Sequence, residues 1–293
     1  MAANLCLPAG SRADTVMVLM PGSNYNHAYW DFPYRPEKYS FRRAMNAAGI
    51  ATLVVDRLGN GASSRPPSIQ VTSHRESKAL HNIVQALRRG TASSPSFARI
   101  VTVGHSLSSS ISAMEASDYQ DVDGVILTGF SHKVDFVQAA AVIAGYRPAN
   151  TNPMFADKGY DTGYLATPNG TMGSIFHAAG DVEPQVLAVD EANKDVFTPT
   201  EYMDGLPITL PGGTAKISAR VLVVDGSLDR LCSEVCKDAA TLMAAEAPHF
   251  SPATQLRTYV LQGSGHSMNL ARNTADYQKA ILDWMHAMIR KQR

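Results

Sequence analysis

The stretch Ile100-Val101-Thr102-Val103-Gly104-His105-Ser106-Leu107-Ser108 decides the fold. A short β-branched run ends in Gly-His-Ser, and a small-residue segment compatible with a helix follows at once. This is the pattern of a nucleophile elbow, in which a serine occupies a tight strand-to-helix turn and its hydroxyl projects from the end of the sheet. Strand and helix nearly touch around that serine, so its neighbours must be small. Gly104 meets that demand fully, and Ser108 stands where the usual pattern has a second glycine.

Outward from the elbow, strand-like and helix-like segments alternate, which predicts an α/β fold with a mainly parallel central sheet flanked by helices. Thr15–Met20 is a continuous apolar run ending at Pro21-Gly22, as a buried parallel strand requires. Ile50–Val55 repeats the form, and a helix over Glu37–Ala48, closed by Gly49, lies between them. Leu80, Ile83, Val84 and Leu87 predict a helix over Glu76–Arg89, and another runs from Ser106 to about Ala116. Val122–Thr128, Arg220–Asp225 and Leu256–Leu261 read as further strands. A last helix carries Tyr277, Ile281, Trp284, Met285 and Met288 on one stripe, with basic residues at its end. Residues 1–130 and 218–293 thus form one core. The Gly-, Pro-, Thr- and Asn-rich stretch 131–217 breaks the pattern and reads as an inserted cap or lid over the carboxyl edge of the sheet, with weak helical periodicity at Val134–Ala144 and Pro184–Asn193.

The 293 residues suffice for a sizeable core. Lysine plus arginine and aspartate plus glutamate are 26 each, so no single-sign field recommends nucleic acid or an anionic membrane as partner. No apolar run approaches the roughly 20 residues of a membrane-spanning helix, and Met1–Gly10 lacks a leader-like basic and apolar start. A cytoplasmic location is the default expectation. Cys6, Cys232 and Cys236 are too few for a disulfide framework; the last two fall four apart in an expected helix and read as reduced thiols rather than a local disulfide.

Four segments taken together resemble the α/β-hydrolase family, serine-nucleophile branch: Met20-Pro21-Gly22-Ser23, Asp56-Arg57-Leu58-Gly59-Asn60-Gly61-Ala62-Ser63, Gly104-His105-Ser106-Leu107-Ser108, and Gly226-Ser227-Leu228-Asp229 followed by Gly265-His266. The resemblance implies Ser106 as nucleophile, His266 in the loop after the last strand as base, and Asp229 as the acid that orients it, in the family order. Asp225 at the strand end is the chief rival acid, and Asp135 a weaker one. Backbone N–H groups of Leu107 and Ser23 are the implied oxyanion donors, with Asn24 as an alternative because Pro21 replaces the usual histidine of that turn. Neither a metal nor an organic cofactor is implied.

Around these, Tyr25, Tyr29 and Trp30 admit two readings, a substrate-pocket wall or a packing cluster. Asp56 and Gly59-Asn60-Gly61 read as a capped structural turn. His27, His81, His105 and His249 are expected to be structural. The sequence before Thr15 is short for the family, so a missing early edge strand would leave a sheet edge open to homodimerisation.

The function implied is hydrolysis of a carboxylic ester, lactone or thioester through an acyl-enzyme, with a small-molecule acyl substrate. A serine at the elbow argues against dehalogenase and epoxide-hydrolase chemistry, which use an aspartate there. An acyltransferase or lactone-forming cyclase, a C–C bond hydrolase, a peroxidase and a non-turnover ligand receptor remain as alternatives on the same scaffold.

Overall fold

The computed structural model describes residues 1–10, 13–91 and 94–290. Seven strands form one sheet: β1 Ala3–Cys6, β2 Thr15–Met20, β3 Ala51–Val55, β4 Arg99–His105, β5 Gly124–Thr128, β8 Arg220–Gly226 and β9 Arg257–Leu261, in the order β1-β3-β2-β4-β5-β8-β9. All neighbours are parallel except β1, which pairs antiparallel with β3 from Ala3 opposite Val55 to Cys6 opposite Thr52. The early edge that the sequence left open is therefore occupied by this short strand.

Both sheet faces are covered, which is why β2 and β3 are apolar without alternation. Val16, Val18 and Met20 enter one core with Leu80, Val84 and Leu87 of α3 (Ser73–Arg89) and Ile111 of α4 (Leu107–Tyr119). Met17 and Leu19 enter the other core, with Phe41 and Met45 of α2 (Phe41–Ala47) and Tyr277, Ile281, Met285 and Met288 of α10 (Thr274–Arg290). Trp284 of the expected stripe is only partly buried, and Lys291 and Arg293 lie outside the described residues. The helix expected over Glu37–Ala48 is two: α1 Pro36–Tyr39 ends at Ser40, whose hydroxyl accepts from Arg43 N–H and starts α2.

Between β5 and β8 the chain leaves the sheet. It forms α5 Phe136–Gly145, a two-residue ladder of β6 (Arg147–Pro148) with β7 (Leu165–Ala166), then α6 Met172–Phe176, α7 Pro184–Ala192 and α8 Pro199–Gly205. α8 is tied down hard. The fully buried Arg57 pairs with Glu201 of α8, has Glu76 of α3 at 3.7 Å, and donates to the Gly22 and Val196 carbonyls at 3.3 Å. Removing this cation would leave the buried Glu201 carboxylate without its partner. Arg57→Met is expected to cost about 3–5 kcal/mol, read as a fall in the urea unfolding midpoint.

After β8, the helix expected near Cys232 is only a single 3₁₀ turn, Ser233–Cys236, ahead of α9 (Ala239–Glu246). That turn brings the Cα atoms of Cys232 and Cys236 to 5.7 Å, and the two are disulfide-bonded, not reduced. Among the described residues no helix is long and apolar enough to cross a membrane.

Candidate active site

Four turns meet at the carboxyl end of the sheet, each following a parallel strand. β4 is the central strand and ends with His105 opposite Thr128 of β5. Ser106 follows at φ 53°, ψ −120°, a conformation costly for any residue with a Cβ. It is held there by its own N–H donating to Thr128 O at 2.8 Å and its carbonyl accepting from Ser109 N–H at 2.8 Å. A Cβ on Gly104 would lie 2.2 Å from the Ser108 carbonyl oxygen, so strand and helix leave no room for a side chain. Ser108, in the place of a second glycine, donates its hydroxyl to the Pro21 carbonyl at 2.5 Å and so binds the elbow to the turn after β2.

In that turn Asn24 adopts φ 63°, and its Nδ2 donates to the Tyr146 hydroxyl at 3.1 Å. Ser23 is buried beside it. Leu107 is the first residue of α4, so its N–H has no carbonyl one turn back in the helix.

Past β8, Asp229 accepts at 2.6 Å on Oδ2 from His266 Nδ1, in the loop after β9. Two close approaches make this meeting: a Cβ on Gly226 would lie 2.2 Å from the Gly265 carbonyl, and Leu231 N–H donates to Asp229 Oδ1 at 2.8 Å. Burial works to raise the Asp229 carboxyl, but the charge and hydrogen bond of His266 outweigh it and hold it at about 2. The rival Asp225 is pushed well above the ordinary carboxylate range by burial and then by Asp229. Asp225 accepts from its neighbour Gly226 N–H at 2.8 Å. Asp135 starts α5, accepting from Val137 and Gln138 N–H groups at 3.0 Å.

Ser106, His266, Asp229 and Asp225 border one cavity of about 210 Å³. Its other walls are largely apolar: Leu107, Phe130 and Leu231 of the core meet Val134, Phe136 and Val142 of the insertion there. His266 Nε2 is buried without a hydrogen-bond partner, and Tyr202 of α8 lines the same cavity as Ser106. Tyr202 also lies 2.6 Å from the Ser23 hydroxyl. Sequence reasoning missed Tyr202 and Tyr146; nothing local marks either among the tyrosines of the insertion.

Tyr25, Tyr29 and Trp30, for which the sequence leaves both a pocket wall and a packing cluster open, take the packing position. All three are buried in the second core and none borders the cavity. Tyr29 stacks on His105 at 4.4 Å, Trp30 meets Phe41 edge-on, and Tyr25 bonds the Ser267 hydroxyl at 2.7 Å. They support the elbow and the histidine loop from beneath. His105 lies 4.9 Å from the His266 ring, and burial followed by His266 holds it well below the usual histidine range, hence neutral. His27 bonds Asp56 at 2.9 Å, His81 stacks on Tyr119 and His249 on His132. Asp56 also caps its turn, accepting from His27 and Ala62 N–H groups.

A profile of the alpha/beta hydrolase family matches residues 17–277. No curated protein matches the sequence. Among solved structures, the chain is similar to E-2-(acetamidomethylene)succinate hydrolase (17% identity, 97% of this chain and 95% of that one, TM-score 0.62). It is also similar to the monoacylglycerol lipase of Paleococcus ferrophilus (15%, 98% and 100%, 0.64) and the esterase of Exiguobacterium antarcticum (14%, 96% and 94%, 0.64).

Proposed function

The chain belongs to the alpha/beta hydrolase family, and from that premise we propose that it is a serine hydrolase cleaving a carboxylic ester, lactone or thioester through an acyl-enzyme. The observation that carries this reading is the convergence of a strained Ser106 and a buried 2.6 Å His266–Asp229 pair on one cavity. In the mechanism Ser106 Oγ attacks the acyl carbon as its proton passes to His266 Nε2, whose lack of a protein partner leaves it free to accept. Asp229 keeps Nδ1 protonated and balances the imidazolium charge. The N–H groups of Leu107 and Ser23 donate to the oxyanion, and the imidazolium then protonates the leaving group. Water, activated by His266, resolves the acyl-enzyme.

The insertion acts as the lid and sets the substrate class. The cavity wall holds no lysine or arginine among the described residues and is mainly aliphatic and aromatic, which favours an uncharged, apolar acyl group over an anionic one. α5 presents Phe136 and Ile143 both to the cavity and to solvent, an apolar approach for such a group. A panel of neutral and carboxylate-bearing esters, lactones and thioesters tests this. Preference for neutral apolar acyl groups is expected; exclusive turnover of dicarboxylates, or no turnover of any acyl compound, would contradict it. Running the panel with added alcohol separates hydrolysis from acyl transfer.

A further inference from the structure

Tyr202 has no part in the mechanism above, yet α8 is anchored on both sides of it. Glu201 pairs with Arg57 and, with Thr198, forms a capping box at the helix start. Asp204 accepts from the Ser73 N–H at 2.7 Å at the start of α3, and a Cβ on Gly205 would lie 2.6 Å from the Ser73 hydroxyl. The Tyr202 ring packs edge-on against Phe197 at 5.4 Å and is partly buried. Its hydroxyl lies 2.6 Å from Ser23 Oγ, and Tyr202 lines the cavity together with Ser106.

We propose that the Tyr202 hydroxyl is a third hydrogen-bond donor to the oxyanion of the acyl-transfer intermediate, carried into the site by α8 of the insertion. This rests on the Ser106–His266–Asp229 reading. A phenol that bonds the residue whose main-chain N–H serves the oxyanion, and that lines the same cavity as the attacking serine, is placed to reach the point where the carbonyl oxygen acquires its charge. Rotation about its Cζ–Oη bond turns the O–H from Ser23 to that oxygen without moving the ring. As Ser106 Oγ bonds to the carbonyl carbon, the C=O π pair moves onto oxygen and the serine proton goes to His266. Tyr202 shares its proton and does not give it up. On collapse the pair re-forms C=O, the bond to the leaving group breaks, and that group takes the proton from His266. Burial, opposed by the bond to Ser23, raises the phenol above its ordinary value and keeps it a neutral donor.

The lid thereby completes the catalytic site as well as covering it. With α8 undocked, the oxyanion would keep only its two main-chain donors.

The test compares wild type with Tyr202→Phe, which keeps the ring and its packing. Expected are a fall in kcat for p-nitrophenyl butyrate of about 10²-fold, from one lost donor, and KM within about threefold. Affinity for a trifluoromethyl ketone, which forms the tetrahedral oxyanion, is expected to fall in parallel, while the parent methyl ketone stays within about threefold. A kcat within threefold of wild type, or equal losses for both ketones, would overturn the proposal, the latter marking a packing role. The two readings fail separately. If wild type hydrolyses the ester through Ser106 and Tyr202→Phe does so as fast, only the Tyr202 donor is lost. If wild type forms no adduct at Ser106 and turns over no ester, the serine reading falls and takes this one with it.

Discussion

Replacing Ser106 with alanine is expected to lower kcat for any accepted ester by on the order of 10⁶-fold, because nucleophile and base act as a unit and the residual rate belongs to the oxyanion donors and binding alone. KM is expected to change little, since the apolar walls that hold the acyl group are untouched. The fold is expected to survive. The unusual backbone at φ 53° is imposed by the Thr128 and Ser109 bonds and by the close packing at Gly104, none of which involves the side chain. The thermal unfolding midpoint should therefore stay within about 2 °C of wild type. Near-normal turnover by a folded Ser106→Ala would place the chemistry elsewhere in the cavity.

Asp229→Asn carries the second large effect, a loss of about 10⁴-fold in kcat. The asparagine amide is as large as the carboxylate but is free to donate to His266 Nδ1. That would put the imidazole proton on Nε2, where a base must be empty. Nothing would then balance the imidazolium. The same geometry bears on pH dependence. The Asp229 carboxyl is depressed to about 2, below an unfolded value near 4, so its contribution to stability is complete above about pH 4 and is lost as the pH falls toward 2. Any loss of activity between pH 4 and 8 is thus not protonation of Asp229, and the acid limb of kcat/KM in that range belongs to another group. Stopped assays across pH 4–8 with far-UV dichroism at each point check this. An activity loss that tracks unfolding throughout that range would contradict it.

The architecture is legible in the sequence where apolar runs end abruptly in turns. Thr15–Met20, Ile100–His105 and Arg220–Asp225 are each continuous because both sheet faces are buried, and the candidate residues Ser23, Ser106 and Asp229 sit just beyond those ends. Ala3–Cys6 is less legible, being four residues, partly exposed, with a pattern too short to register. Tyr25, Tyr29 and Trp30 carry no sign of which side of the elbow they occupy, since aromatic rings suit a pocket and a core equally. The break at Ser40 is a capping signal hidden by helix-forming neighbours. Tyr202 lies furthest from sequence reasoning. Its place depends on Arg57, Glu76 and Ser73, more than a hundred residues away, and α8 alone is too short to announce its orientation.

The central claim is that Ser106 is an activated nucleophile served by His266. The most direct test is intact-mass spectrometry after brief exposure to a fluorophosphonate, on wild type, Ser106→Ala and His266→Ala. The account predicts one phosphonyl adduct on wild type, mapped to Ser106, and none on a folded Ser106→Ala or His266→Ala over the same interval. A folded wild-type protein that takes no adduct, or one labelled equally well without Ser106 or His266, would contradict it.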